Sequence, residues 1–195
     1  MFGGVCFSAR RVWAVPQWQF FLRCGDKAYI LEEKTQEAAA MARIDKENYY
    51  LDIADTVLKR STCLRRCYGA IIVKNDEILS TGYNGAPRGR KNCTDLGRCT
   101  REELRVPSGE RYELCRSVHA EANCIISAPR SATLGSTLYL AGRDAKTGEL
   151  LPDATSCSMC RRLIINAGIQ RVVIRRSPEP VSYTHLRAHE TSAHL

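Results

Sequence analysis

Beyond residue 21 the chain contains neither phenylalanine nor tryptophan: all four Phe and both Trp lie within residues 2–21. A protein that flips bases out of nucleic acid or tracks a single strand uses aromatic stacking platforms, so this absence argues against a nucleic-acid partner. Histidine is scarce too, and three of the four, His185, His189 and His194, fall in the last eleven residues. No apolar run approaches the roughly 18 residues that span a bilayer. Arg10 and Arg11 followed by an apolar stretch faintly resemble a secretory signal, but Pro16, Gln17 and Gln19 interrupt it and no clear cleavage site follows, so no membrane association and a cytoplasmic location are expected. In a reducing compartment the ten cysteines point to metal ligation or core packing before disulfides.

What is present describes one ordinary domain with spare length. The 195 residues are 44% hydrophobic and 26% charged, near globular averages. The net charge of +8 fits an anionic partner or a plain solvated surface. Residues 1–42 show no sustained period of 2 or 3.6 and are expected to be a leader outside the functional domain, with Met41 just before the first patterned segment. Residues 181–195 contain V-S-Y-T-H-L-R-A-H-E-T, which resembles the translation of a transposon-type sequencing adapter, so a non-native tail is expected there. The domain proper is then 43–180, which holds 23 Lys and Arg against 16 Asp and Glu.

Within it, helical spacing of Tyr50, Ile53, Ala54, Val57 and Leu58 predicts a helix over 47–60. Two β-rich runs, 69–73 and 78–81, flank an Asn75-Asp76 turn and predict a hairpin. A polar, arginine-rich stretch over 82–117 is too long for a plain connection and is expected to be functional. A helix over 119–128, a strand over 136–141, a helix over 160–166 closed by Gly168, and a strand over 170–174 complete an α/β domain with a mixed sheet whose later strands run parallel.

Cys157-Ser-Met-Cys160 is a C-x-x-C at the mouth of a predicted helix, where the dipole and unpaired N–H groups favour thiolate. With His119 it offers three zinc ligands and an open fourth position, the arrangement of a catalytic site. A buried thiol pair and a helix-terminal histidine are the alternatives. Glu121 follows His119 by two residues, and positions i and i+2 do not share a helix face, so spacing alone does not bring both to one metal.

The H-x-E and C-x-x-C pair resembles the zinc deaminase signature, in which the glutamate is the proton carrier and not a ligand; Ser156 stands where that signature has Pro. The runs Arg60-Ser-Thr-Cys63-Leu-Arg-Arg, Gly69-Ala-Ile-Ile-Val, Thr81-Gly-Tyr-Asn84-Gly-Ala-Pro87, Gly109 to Glu121 and Leu163-Ile-Ile-Asn-Ala-Gly168 are similar to those of deoxycytidylate (dCMP) deaminases. The resemblance covers about Arg43 to Arg175 and implies a three-layer α/β/α domain, a catalytic zinc on His119, Cys157 and Cys160, Glu121 as acid and base, and Asn84 as a contact to the substrate's sugar. It implies a second, structural zinc on Cys63 and Cys93, with Cys99 and Cys115 completing four thiolates. It also implies hydrolysis of dCMP to dUMP and ammonia in the supply of dTTP precursors, a homo-oligomer, and dCTP and dTTP as effectors. The same resemblance leaves open a tRNA adenosine or other nucleotide deaminase, or an inactive truncated zinc-binding module. The family's closing elements are expected to be replaced here by the adapter-like tail, which predicts an exposed edge at 170–174. The phosphate is expected to meet one of the arginines of 88–116, where eight Lys and Arg face five Asp and Glu.

Overall fold

The computed structural model describes residues 20–24, 27–31, 43–107, 109–177 and 183–187. The chain divides into two units, 1–43 and 44–195. In the first, β1 (Phe20–Cys24) and β2 (Lys27–Leu31) pair antiparallel. Phe-Phe-Leu and Tyr-Ile-Leu have the composition of strands, a local propensity hidden in a segment with no longer period. The rest of the expected leader lies outside the described residues.

The second unit begins with α1 (Lys46–Leu58), capped by Asp45, whose carboxylate accepts the Asn48 amide at 3.0 Å. β3 (Arg66–Lys74) and β4 (Glu77–Tyr83) form the expected hairpin. Its two turn residues, Asn75 at φ 51° and Asp76 at φ 64°, are both left-handed, as the twist of a two-residue hairpin requires. Two short helices, α2 (Cys93–Leu96) and α3 (Thr100–Glu103), follow, then a 3-10 turn over Tyr112–Leu114. α4 (Ala120–Ile126), α5 (Arg130–Thr133), β5 (Thr137–Asp144), α6 (Ser158–Asn166), β6 (Arg171–Arg175) and β7 (Tyr183–Arg187) complete the unit.

The sheet order is β4-β3-β5-β6-β7, with β5 and β6 parallel and the other pairs antiparallel. The edge expected to be exposed at 170–174 is therefore covered, because residues 183–187, within the stretch expected to be a foreign tail, continue the ladder. Main-chain hydrogen bonding sets few demands on sequence, so a segment need not be patterned to complete a sheet. The remainder of 181–195 lies outside the described residues.

Alternation along the strands divides the core into two. Ala70, Ile72, Leu138, Leu140, Val172 and Ile174 pack with Ala120 and Cys124 of α4 and Ile164 of α6. Ile71, Val73, Tyr139, Ala141 and Val173 pack with Tyr50, Leu51, Ala54 and Leu58 of α1. Continuous apolar strands buried on both faces give a three-layer α/β/α domain, as expected. Ion pairs fasten the α1 layer: Arg143 grips Asp55 at 2.6 and 3.2 Å, and the buried Arg175 reaches Asp52 at 2.6 Å.

Two glycines allow this spacing. A Cβ on Gly69 would overlap the backbone of Ala54 and Leu58 in α1, and one on Gly82 would overlap the Ala120 carbonyl and the Cys124 amide in α4. Neither obstacle is a movable side chain. Gly82→Ala should therefore destabilise the domain by about 1–3 kcal/mol, read from urea denaturation, whereas Leu163→Ala on the partly exposed side of α6 should cost less.

Candidate metal centre and active site

β4 and β5 are both antiparallel to β3, so they run in the same direction, and the chain leaving each leads to a helix start at one end of the sheet. His119 is the N-cap of α4 and Cys157 the N-cap of α6. Both have extended backbone, at φ −70°, ψ 153° and φ −68°, ψ 165°. His119 therefore stands off the helix that carries Glu121, which removes the objection that i and i+2 face apart.

Among the described residues, one group offers three ligand atoms within 4.8 Å of one another: His119, Cys157 and Cys160. His119 Nδ1 lies 3.4 Å from Cys157 Sγ and 3.3 Å from Cys160 Sγ. Tetrahedral zinc with bonds of about 2.0–2.1 Å to nitrogen and about 2.3 Å to sulfur separates those atoms by about 3.6 Å, so the donor set fits the ion closely. Proton sharing in the cluster follows the same geometry. Hydrogen bonding from Cys160 and then from His119 holds the Cys157 thiol down at about 4, while Cys160, hydrogen-bonded to that thiolate and buried, is driven up. His119 is raised, first by its bond to Cys157.

Glu121 is 4% exposed, and burial raises its carboxyl, opposed by the nearby His119. It lines a cavity with His119, Cys157, Asn84, Tyr68, Tyr112 and three arginines, Arg65, Arg66 and Arg101. The long loop that expectation marked as functional forms much of this wall. Its base is closed by paired bonds between Gly85 and Val118, at 3.2 and 2.8 Å. Tyr112 meets the His119 ring edge-on with centroids 4.8 Å apart, and Arg101 covers the Tyr112 ring at 4.6 Å while donating to the Pro107 and Glu110 carbonyls.

A family model for the cytidine and deoxycytidylate deaminase zinc-binding region matches residues 44–176. The chain belongs to this family. It is 36% identical over 137 residues to the deoxycytidylate deaminase of Mycobacterium phage D29, covering 68% of this chain and 96% of that protein. It is 31% identical over 158 residues to the deoxycytidylate deaminase of Schizosaccharomyces pombe, covering 79% of this chain but only 45% of that longer protein. A solved cyanophage S-TIM5 dCMP deaminase in complex with dCMP and dUMP aligns at 25% identity with a TM-score of 0.45, over 68% of this chain and 84% of that one.

For a deaminase of this family the remaining predicted residues fall as follows. Asn84 lines the cavity, but its carboxamide is largely engaged by the protein: Oδ1 accepts Ser61 Oγ at 2.6 Å and the Tyr68 amide at 2.7 Å, and Nδ2 donates to the Arg66 carbonyl at 2.8 Å. One N–H of Asn84 is left for a ligand. Cys63, Cys99 and Cys115 line the same cavity, and Cys93 is buried at the start of α2. Burial raises Cys93 and Cys115, and the charges of the neighbouring thiols raise both further, so the four gather around one place without matching the tight spacing of the His119 group. Sequence reasoning did not single out Tyr68, Tyr112, Arg65 or Arg66. Tyr112 and the two arginines lie inside the quoted motifs, but no local spacing marks them as cavity residues.

Deprotonation of Cys157 is directly measurable. In zinc-depleted protein its labelling by iodoacetamide should stay nearly flat from about pH 6 to 9, because its folded value of about 4 lies below that window. Cys115, raised by burial, should label about tenfold faster per pH unit over the same range. Peptide-resolved mass spectrometry separates the two, and equal slopes would contradict the thiolate assignment.

Proposed function

We propose that this protein deaminates dCMP hydrolytically to dUMP and ammonia, in the supply of deoxypyrimidine nucleotides. The observation that carries the reading is the convergence of His119, Cys157 and Cys160 beside the buried carboxyl of Glu121. Zinc held by those three side chains, when bound, supplies the acidification of water that makes a nucleophile available at neutral pH. Glu121 does the proton work: it takes a proton from the attacking water and places it on N3 of the pyrimidine as C4 is attacked, then takes the remaining proton of the hydroxyl added at C4 and delivers it to the departing amine. Burial suits it to this role, since a carboxyl raised by desolvation holds a proton more readily than an exposed one. The spare N–H of Asn84 would meet the sugar.

The proposal extends to a structural zinc on Cys63, Cys93, Cys99 and Cys115, supported by their common neighbourhood and by the loop they would tie down. It extends also, on family likeness alone, to a cytoplasmic homo-oligomer responsive to dCTP and dTTP. The absence of Phe and Trp from 43–180 favours a free nucleotide over a nucleic acid.

Glu121→Gln should retain zinc while ammonia release from dCMP falls by about 10²–10⁴-fold. Full activity in that variant, or release from an adenosine-containing tRNA stem-loop but not from dCMP, would overturn the reading. Zinc counting gives a separate answer on the second site: about two ions per chain, falling by one in Cys63→Ser and by one in Cys157→Ser.

A further inference from the structure

Three guanidinium groups line the cavity, and they are not equivalent. Arg101 is 7% exposed; one of its nitrogens serves the carbonyls of Pro107 and Glu110, and its face lies on Tyr112, so it buckles the loop together. Arg65 lies 3.7 Å from Glu102, and its Nη1 is buried without a hydrogen-bond partner. Arg66 is the more open of the two. Its ion pair with Asp153, at 3.5 Å, is no tighter than a loose surface contact, but its side chain is 38% exposed against 26% for Arg65, and its carboxylate partner is 63% exposed against 45% for Glu102. Such a pair contributes little, whereas a planar guanidinium meeting a phosphate dianion forms short, charge-assisted and often bidentate bonds.

We propose that Arg66 receives the 5′-phosphate of the nucleotide, exchanging Asp153 for it, and thereby sets the preference for a nucleotide over its nucleoside. The inference rests on the deaminase reading above. Placement supports it from three sides. The Arg66 carbonyl accepts Asn84 Nδ2, so the residue offered to the sugar and the one offered to the phosphate are joined through a single peptide. Arg66, Tyr68 and Glu121 line the same cavity, so the arginine opens on the space that holds the carboxyl that moves protons. Asp153 precedes Cys157 by four residues, so Arg66 faces the segment that delivers a metal ligand. The phosphate contact is then on β3, outside the arginine-rich stretch in which it was expected.

The test compares dCMP with deoxycytidine. In the unaltered protein kcat/KM for dCMP should exceed that for deoxycytidine. Arg66→Gln should lower the dCMP value by about 10- to 100-fold, mainly through KM, with a loss for deoxycytidine at least tenfold smaller. Arg66→Lys should recover part of the difference, and Asp153→Asn should lower KM for dCMP by removing the competing carboxylate. Calorimetry on zinc-depleted protein reads the same preference without turnover: dCMP should bind more tightly than deoxycytidine in the unaltered chain and not in Arg66→Gln. Equal losses for both substrates in Arg66→Gln, an unchanged preference, or a preference lost instead in Arg65→Gln would overturn the assignment of the arginine. Failure of the unaltered, zinc-loaded protein to release ammonia from either compound would overturn the deaminase reading itself.

Discussion

The constraint on which the rest depends is the meeting of two helix N-termini. β4 and β5 run the same way, so α4 and α6 start at the same end of the sheet and their N-caps face one another. Unpaired amides at both starts create a positive field there, and a thiolate is the side chain that such a field favours. Cys157 accepts the Cys160 amide at its own cap, so the sulfur that closes the helix is also one of the three donor atoms that could hold a metal. The close approach has a steric condition at Gly82, over which the first turn of α4 lies. Sheet direction, a glycine and two caps thus determine where three ligand atoms can converge.

The long loop 85–118 depends on the same arrangement from outside. It has little apolar content of its own and is held by polar and ring contacts: the Gly85 to Val118 pair at its base, the Asn92 and Asp95 capping box at α2, and Arg101 on two carbonyls. Tyr112 then packs its ring perpendicular to that of His119, restricting the imidazole whose Nδ1 faces the two sulfurs. A loop of this kind orders itself around the site it encloses, and the four cysteines gathered on its inner side would suit a metal that makes the ordering permanent.

Much of this was legible in the sequence, and the exceptions have a common cause. The hairpin at Asn75-Asp76, the helices, and the alternating strands follow from local propensity and period, which operate over few residues. His119, Cys157 and Cys160 were legible because metal ligation restricts both residue type and spacing. Other features depend on contacts that no local pattern encodes. The near-complete engagement of Asn84 joins it to Ser61, Arg66 and Tyr68 far along the chain, the cavity collects Arg65 and Arg66 from one segment and Arg101 from another, and β7 joins the sheet through its backbone. Charge density along the chain pointed to 88–116, but of the three arginines that line the cavity only Arg101 belongs to that stretch, and Arg65 and Arg66 lie before it. Counting charges locates a basic region, whereas only the accounting of each donor's partners identifies the one able to take a new ligand.

Ser156 shows how a departure from a signature can be absorbed. Proline at that position would fix the backbone torsion of the residue before Cys157 and so hold the sulfur in place. With serine the torsion is free, but Arg161, five residues on in α6, donates from Nε to the Ser156 carbonyl at 2.9 Å. The segment is thus held to the helix it precedes by a hydrogen bond instead of a ring. The exchange also places a hydroxyl, buried with the residue at 5% exposure, beside Glu121 where the ring would have offered only carbon. The departure leaves Cys157 and Cys160 grouped with His119 and changes the chemistry of the wall behind the carboxyl.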